Sequence, residues 1–392
     1  MYEKRTDFSI PLSVPEISGN ERVYVEECLK TGWISSAGPF VNRFEKDFAK
    51  IVQVPHAIAV SCGTSALHLA LMLAGVHPED EVFVPTLTFI APANAIRYVG
   101  AVPVFVDCDD FAQMDAKHLR TLIDTHYTWD GKQLINRKTK RRASTIVPVH
   151  MLGHSCDLDP LLAIASEFGL TVIEDACEGL GTYYKGKHVG NFGKLSCFSF
   201  NGNKLISTGG GGMIVTRDEK LAERCRYLST QAKDNPIEFI HHAVGYNYRL
   251  TNLAAAVGCA QLEQLGKFIE RKHQIASLYK KLLEPIPGIS PMSAPPWSSS
   301  TFWLYTALVD KDQFGLSAKE IVYKLMERGI QSRPLFEPMH LSKAFADVDT
   351  GIQRSYARAE IFHKSGLSLP CSVGLKDSEI ELVVREISSL SK

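Results

Sequence analysis

From about residue 57 the chain alternates short apolar runs with stretches of helical period. Residues 57–61 (AIAVS) read as a buried strand that breaks at Gly63, and 64–73 read as a helix. Further apolar runs at 81–85, 102–107, 146–149, 170–174, 197–200 and 213–216 predict more strands, with helical segments between them. Such alternation predicts an α/β fold whose sheet is mostly parallel, with helices on both faces. Ligands in that architecture lie at the carboxyl ends of the strands. Past Thr251 the pattern changes. Residues 252–283 predict a long helix, bent near Gly266, and the Pro- and Ser-rich stretch 285–300 reads as a linker. Strand-like runs at 302–309 and 330–335, with helical ones at 317–327 and 378–390, predict a small α+β domain. The expected divisions are 1–251, an N-terminal segment with the large domain; 252–284, a connecting helix; and 285–392, the small domain.

With 392 residues the chain can build that core. Lys plus Arg and Asp plus Glu each number 43, so the net charge is zero, which speaks against a nucleic-acid binder. One basic cluster, Lys132, Arg137, Lys138, Lys140, Arg141 and Arg142, reads as a solvated insertion. The nine cysteines are scattered and no CxxC pair occurs, which argues against a disulfide framework and for reduced thiols in a cytoplasmic protein. The first 16 residues have no signal-peptide-like apolar run, and no run of 18 apolar residues predicts a membrane span. His150, His154, His241, His242 and His340 lack metal-ligand spacing, so no metal site is expected. Neither GxGxxG after a strand nor GxxxxGK[ST] is present, which weakens dinucleotide-binding and nucleotide-hydrolase readings.

Four strand ends carry candidate chemistry. Ser61-Cys62-Gly63-Thr64-Ser65 turns a strand into a helix, where free N–H groups and the helix dipole favour a phosphate. By itself it is equally an ordinary helix cap. Glu174-Asp175 closes an apolar strand with two acids, and a carboxylate there suits a protonated pyridine nitrogen, Asp175 being favoured. Ser199-Phe200-Asn201-Gly202-Asn203-Lys204 leads into Gly209–Gly212. Lys204, between strand and glycines, suits a nucleophile and base, and Ser199 suits a phosphate contact; the plain alternative is a surface lysine beside a turn. Phe89, after the strand at 81–85, suits stacking on a pyridine ring or plain core packing.

Together the segments SCGTSALHLAL, DEVFVPTLTFIAPANAI, GAVPVFVD, VIEDACEGLGTYYKGKHVGNFG, SFNGNKLISTGGGGMIV and GYNYRLTNLAAAVGCAQLEQL resemble, in order, the DegT/DnrJ/EryC1/StrS family. The resemblance runs from about residue 10 to the C-terminus. It implies the type I fold of aspartate aminotransferase, a homodimer with shared active sites, and pyridoxal phosphate carried on Lys204. It further implies Asp175 as the pyridine partner, Gly63, Thr64, Ser65 and Ser199 as phosphate contacts, Asn201 beside the cofactor, and Phe89 as the stacking ring. Asn247 resembles the asparagine that the neighbouring subunit sends to the phosphate. Many members have Gln three residues after the aspartate, contacting the cofactor's phenolic oxygen, where this chain has Glu178. Ser36, His150, Arg249, Arg333 and His340 are the implied substrate contacts, Arg249 toward the sugar nucleotide's phosphates.

The phrases TGWISSAGPFV and SFNGNK, with the insertion around INRKTKRR, look like the LegC branch. That implies transfer of an amino group from L-glutamate to C4 of a UDP- or GDP-linked 4-keto-6-deoxy-2-acetamido sugar, in bacterial surface-glycan synthesis of the legionaminic acid or bacillosamine type. The alternative is C4 or C3 transfer to another nucleotide-linked keto-sugar, such as a perosamine type. A sugar 3-dehydratase on this fold has histidine where Lys204 stands. An amino-acid aminotransferase would need an arginine for the α-carboxylate, a part Arg333 is placed to play. A non-catalytic regulator would need a DNA-binding signal that the charge balance does not offer.

Overall fold

The computed structural model describes residues 8–235, 237–352 and 355–391. Residues 1–7 and 392, the outer ends of the expected divisions, lie outside that set, as do the first seven positions of the stretch scanned for a signal peptide. Seven strands make the central sheet: β1 (His56–Val60), β2 (Glu81–Pro85), β3 (Val102–Val106), β4 (Arg142–Ile146), β5 (Thr171–Asp175), β6 (Leu195–Ser199) and β7 (Gly212–Thr216). Their order is β1-β7-β6-β5-β4-β2-β3. The run from β6 to β3 is parallel, and only β7 opposes its neighbours β1 and β6. The parallel strands are buried on both faces, which is why most read as unbroken apolar runs. β4 is the exception, sitting before the expected 146–149, because its RASTI alternates and Pro148 cannot extend the ladder.

Helices cover both faces. Gly63–Leu73 lies almost wholly in the core. Pro39–Val52, which the apolar runs did not announce, packs Phe44 and Phe48 edge-on against Phe198 and Phe200, at centroid distances of 5.0 to 5.4 Å. The stretch 252–283 is two helices, Asn252–Glu263 and Leu265–Leu283. They meet at Gln264, whose side-chain amide turns to Glu21 at 3.3 Å, and Gly266 stays helical.

The small domain holds a four-stranded sheet in the order Ile289–Pro291, Tyr305–Val309, Gly366–Leu369, Arg333–Pro334. Only two residues of the expected 330–335 strand enter it, since Pro334 has no N–H to donate. Ile330 instead bridges Ile10, and the Leu12 carbonyl accepts from the Cys371 amide at 2.8 Å. Ile10 and Leu12 therefore tie the N-terminal segment to the small domain, while Ser13 bonds the Asn203 carbonyl of the large one. Among the described residues no helix is long and apolar enough to cross a membrane, and no three His, Cys, Asp or Glu side chains gather to hold a metal.

The basic cluster is not simply solvated. Strands Tyr127–Trp129 and Leu134–Asn136 form a hairpin that extends the sheet beside β4. Arg142 pairs with Asp80 at 2.5 Å, Arg141 binds Glu79 and the Asp349 carbonyl, and Arg137 caps the carbonyls of Thr125 and Asp124. Below them Glu81 is fully buried and accepts from Tyr127 at 2.5 Å, Asn136 at 3.0 Å and Thr139 at 2.8 Å. Burial raises the Glu81 carboxyl and these donors oppose the rise. Asn136 also donates to the Thr350 carbonyl at 2.9 Å, tying hairpin to small domain. Asn136→Ala should therefore cost about 2 to 3 kcal/mol by stranding buried acceptors. Lys132→Ala, at an exposed tip, should change stability by less than about 0.5 kcal/mol in the same denaturant titration.

Candidate active site

Successive residues of a strand face opposite sides, so Glu174 and Asp175 cannot share a site. Glu174 turns into the protein. Its carboxylate accepts from the amides of Gly190 (2.8 Å), Phe192 (2.8 Å) and Gly193 (2.7 Å), from the Ser196 hydroxyl (2.9 Å), and from His150 Nε2 (3.1 Å). His150 Nδ1 accepts from the Cys156 amide, which places its proton on Nε2. Burial alone would raise the Glu174 carboxyl; the His150 bond and the backbone donors outweigh it and bring it down to about 2. Asp175 faces a cavity of about 300 Å³ at the ends of β1, β2, β5 and β6.

Lys204 enters the same cavity. Ser199 ends β6 toward it, while Phe198 and Phe200 point the other way into the aromatic core. The amide of Lys204 donates to the Asn201 carbonyl at 2.9 Å, closing a turn that aims the side chain inward. Lys204 Nζ is 3.5 Å from Glu178 Oε1 and 3.9 Å from the ring centroid of Trp303. The second Glu178 oxygen accepts from the Leu152 amide at 2.8 Å, and Leu152 holds a left-handed φ of 61° to present it. Burial raises the carboxyls of both Asp175 and Glu178, opposed in Asp175 by the Cys177 amide and Lys204, and in Glu178 by Lys204 and the Leu152 amide.

The opposite wall is a cradle of backbone. Cys62 caps the helix Gly63–Leu73 with its thiol, and the Ser65 hydroxyl bonds back to the Cys62 amide at 3.1 Å. The amides of Gly63 and Thr64 open that helix at the cavity. A Cβ on Gly63 would lie 2.9 Å from Cys177 Sγ and 3.0 Å from Ser199 Cβ, and one on Gly212 would lie 2.5 Å from the Cys62 carbonyl. Only glycine allows these strand ends to approach so closely.

Of the residues expected from the sequence, Lys204, Gly63, Thr64, Phe89, Asp175, Glu178, Ser199, Asn201 and Arg333 line this one cavity. Phe89 is 55% exposed and tilts toward Phe336 at 5.8 Å, so it is wall and not core. Five other expected residues lie outside this cavity. Ser65 is buried and spends its hydroxyl on the helix cap. His150 is wholly buried on the Glu174 side. Arg249 turns to Glu45 and the Ala59 carbonyl, away from the cavity. His340 lies behind the wall, bonded to Thr86 at 2.7 Å. Ser36 is exposed outside this cavity. Asn247 is likewise exposed outside it.

Sequence reading missed Trp303, Thr88, Leu152, Cys177 and Phe336, all in the cavity wall. Apolar and aromatic residues give no local signal of function. Thr88, one residue before Phe89, does carry one in the fold: its hydroxyl is buried at the cavity with no hydrogen-bond partner.

These groups fit pyridoxal phosphate. A buried carboxylate, a glycine cradle at a helix start, an exposed aromatic face and an inward lysine converge on one space. The carboxylate of Glu174 is depressed, so its contribution to stability is present above about pH 4.5 and lost as pH falls toward about 2. Acid titration of unfolding should show wild type losing on the order of 3 kcal/mol in that window from this group. Glu174→Gln should be less stable at pH 7 and flatter below pH 4.5; equal acid slopes would contradict the assignment.

A model of the DegT/DnrJ/EryC1/StrS aminotransferase family matches residues 15–388. The GDP-perosamine synthase of Caulobacter vibrioides is 40% identical over 385 residues, covering 97% of this chain and 98% of that one. The GDP-perosamine synthase of Escherichia coli O157:H7 is 39% identical over 380 residues, with 97% and 98% covered. Among solved structures, the aminotransferase TlmJ from Streptoalloteichus hindustanus superposes with a TM-score of 0.86 at 30% identity, covering 97% of this chain and 98% of its own.

Proposed function

We propose a substrate and a role for each residue on one premise: the chain belongs to the DegT/DnrJ/EryC1/StrS aminotransferase family. It is a pyridoxal phosphate-dependent sugar aminotransferase. Its acceptor is a GDP-linked 4-keto-6-deoxy sugar of the perosamine type, its donor L-glutamate, and the new amine stands at C4. Two GDP-perosamine synthases at 40% and 39% identity favour this over the legionaminic acid or bacillosamine type that the LegC-like phrases implied. The observation that carries the assignment of residues is the meeting of Lys204 and Asp175 in one cavity, from the ends of neighbouring parallel strands.

When bound, the cofactor supplies an electron sink for charge at the donor's α-carbon and carries the amino group between substrates. The protein's own groups do the rest. Asp175, a carboxylate buried at the cavity, holds the pyridine nitrogen protonated. The Gly63 and Thr64 amides and Ser199 take the phosphate. Phe89 walls one ring face, and Glu178, beside Lys204 and the Leu152 amide, would share a proton with the phenolic oxygen. Lys204 Nζ removes the proton from the α-carbon of glutamate and returns one to C4 of the sugar. Arg333, an exposed residue of the cavity lining, meets an anionic part of donor or nucleotide.

A second copy completes the site in this reading. Asn247 is exposed on the stretch that also displays Ile237, Phe239 and Val244, at 85%, 66% and 80% exposure. Apolar side chains so exposed mark an interface, and light scattering should find twice the chain's mass.

Two outcomes test the function. Purified protein should absorb in the visible range and lose that band with glutamate, while Lys204→Ala should lose about 10²- to 10⁴-fold in turnover. Undiminished turnover in that variant would sink the residue assignment. Offered a GDP-linked 4-keto-6-deoxy sugar beside a UDP-linked 2-acetamido counterpart, the enzyme should favour the GDP sugar by about 100-fold in kcat/KM. The reverse preference would restore the LegC-type reading.

A further inference from the structure

Lys204 has a companion that the roles above do not use. Trp303 is 3% exposed and presents its indole face to the amine at 3.9 Å. The ring is fixed from two sides. Its Nε1–H donates at 2.7 Å to the carbonyl of Asn203, the residue before Lys204, and the Ser13 hydroxyl donates to the same carbonyl at 3.0 Å. The Trp303 carbonyl accepts from Lys272 Nζ at 2.7 Å, and Lys272 is itself buried and bound to the Cys371 carbonyl. The indole thus hangs on the backbone of the very turn that carries the lysine.

We propose that Trp303 is a positioning residue for the transamination: its indole face, together with Glu178, holds the Lys204 ammonium that forms when the freed amine takes the donor's proton. The proposal rests on Lys204 being the reacting lysine. The reaction needs this amine at two moments, as proton acceptor on the donor and as proton donor to the sugar, and it is unattached between them. A free lysine side chain spreads over many rotamers. An aromatic face attracts a cation most strongly where water is thin, and the Lys204 side chain is only 14% exposed. Glu178 Oε1 at 3.5 Å, opposite in charge, supplies the second restraint. An aliphatic side chain would fill the same space without the attraction.

The test uses holoenzyme converted to its amino form with excess glutamate. Lys204 is labelled with trinitrobenzene sulfonate and the rate read by peptide mass spectrometry. Trp303→Leu should label about 10-fold faster than wild type, with Trp303→Phe between them. Ring-fluorinated tryptophans placed at position 303 alone keep the shape and the N–H while weakening the ring's pull. They should speed labelling in step with fluorine number and lower kcat, with KM for the sugar held within about twofold. They also carry the test should the leucine variant fail to fold. Equal labelling across the fluorinated series, or an unchanged kcat, overturns the role of Trp303. Borohydride reduction followed by peptide mapping separates the two levels. Cofactor found on another residue overturns the premise about Lys204, whereas cofactor on Lys204 with flat labelling overturns only the indole's part.

Discussion

The buried carboxylate of Glu174 is the interaction on which the site depends. It gathers three backbone amides, a hydroxyl and an imidazole from residues 150 to 196, and all but the imidazole belong to the segment that leads into and begins β6. With those donors fixed, β6 can pair with β5 only in the register that sets Cys197 beside Asp175. Ser199 and the turn to Lys204 then follow at set positions. A charge so deeply buried is costly unless every lone pair is answered, and here the answers come from the neighbouring connection itself. The acid turned into the protein thereby places the acid that faces the cavity.

A second dependence runs through the domain junction. Trp303 belongs to the small domain's approach, yet it bonds the carbonyl beside Lys204. The N-terminal segment bonds that same carbonyl through Ser13 and pairs with the small domain through Ile10 and Leu12. Asn136 and Arg141 make a further link from the hairpin to residues 349 and 350. Lys204 therefore sits where three separate parts of the chain are held together. Its cavity wall includes Arg333, Pro334 and Phe336 from the small domain as well as the strand ends.

The polar inventory of the cavity is small and directional: two acids, one lysine, one arginine, two asparagines, two thiols, a few hydroxyls and a helix start. Around them stand apolar side chains such as Phe89, Leu152, Trp303 and Phe336. This is the economy expected of a ligand site, where apolar surface excludes water and a few groups orient. It suits a reaction in which the cofactor carries the electronic burden and the protein moves protons.

The sequence by itself determined the alternation of strand and helix, the strand ends that carry the acids, the glycines and Lys204, and the family to which those phrases belong. These are local properties: apolar period, turn chemistry and residue order survive in one dimension. The fold alone decided which of two adjacent acids faces the cavity, because β5's pleat sends them to opposite sides and only pairing with β6 says which side is interior. It alone turned Arg249 and His150 away from this cavity, since Glu45 and Glu174, distant in sequence, claim them. It tied the basic stretch down through Asp80 and Glu79, where charge pattern suggested only solvent. It also brought Trp303 to within 3.9 Å of Lys204 across 99 residues of chain, a proximity that no spacing rule encodes because it arises from two domains closing on one turn.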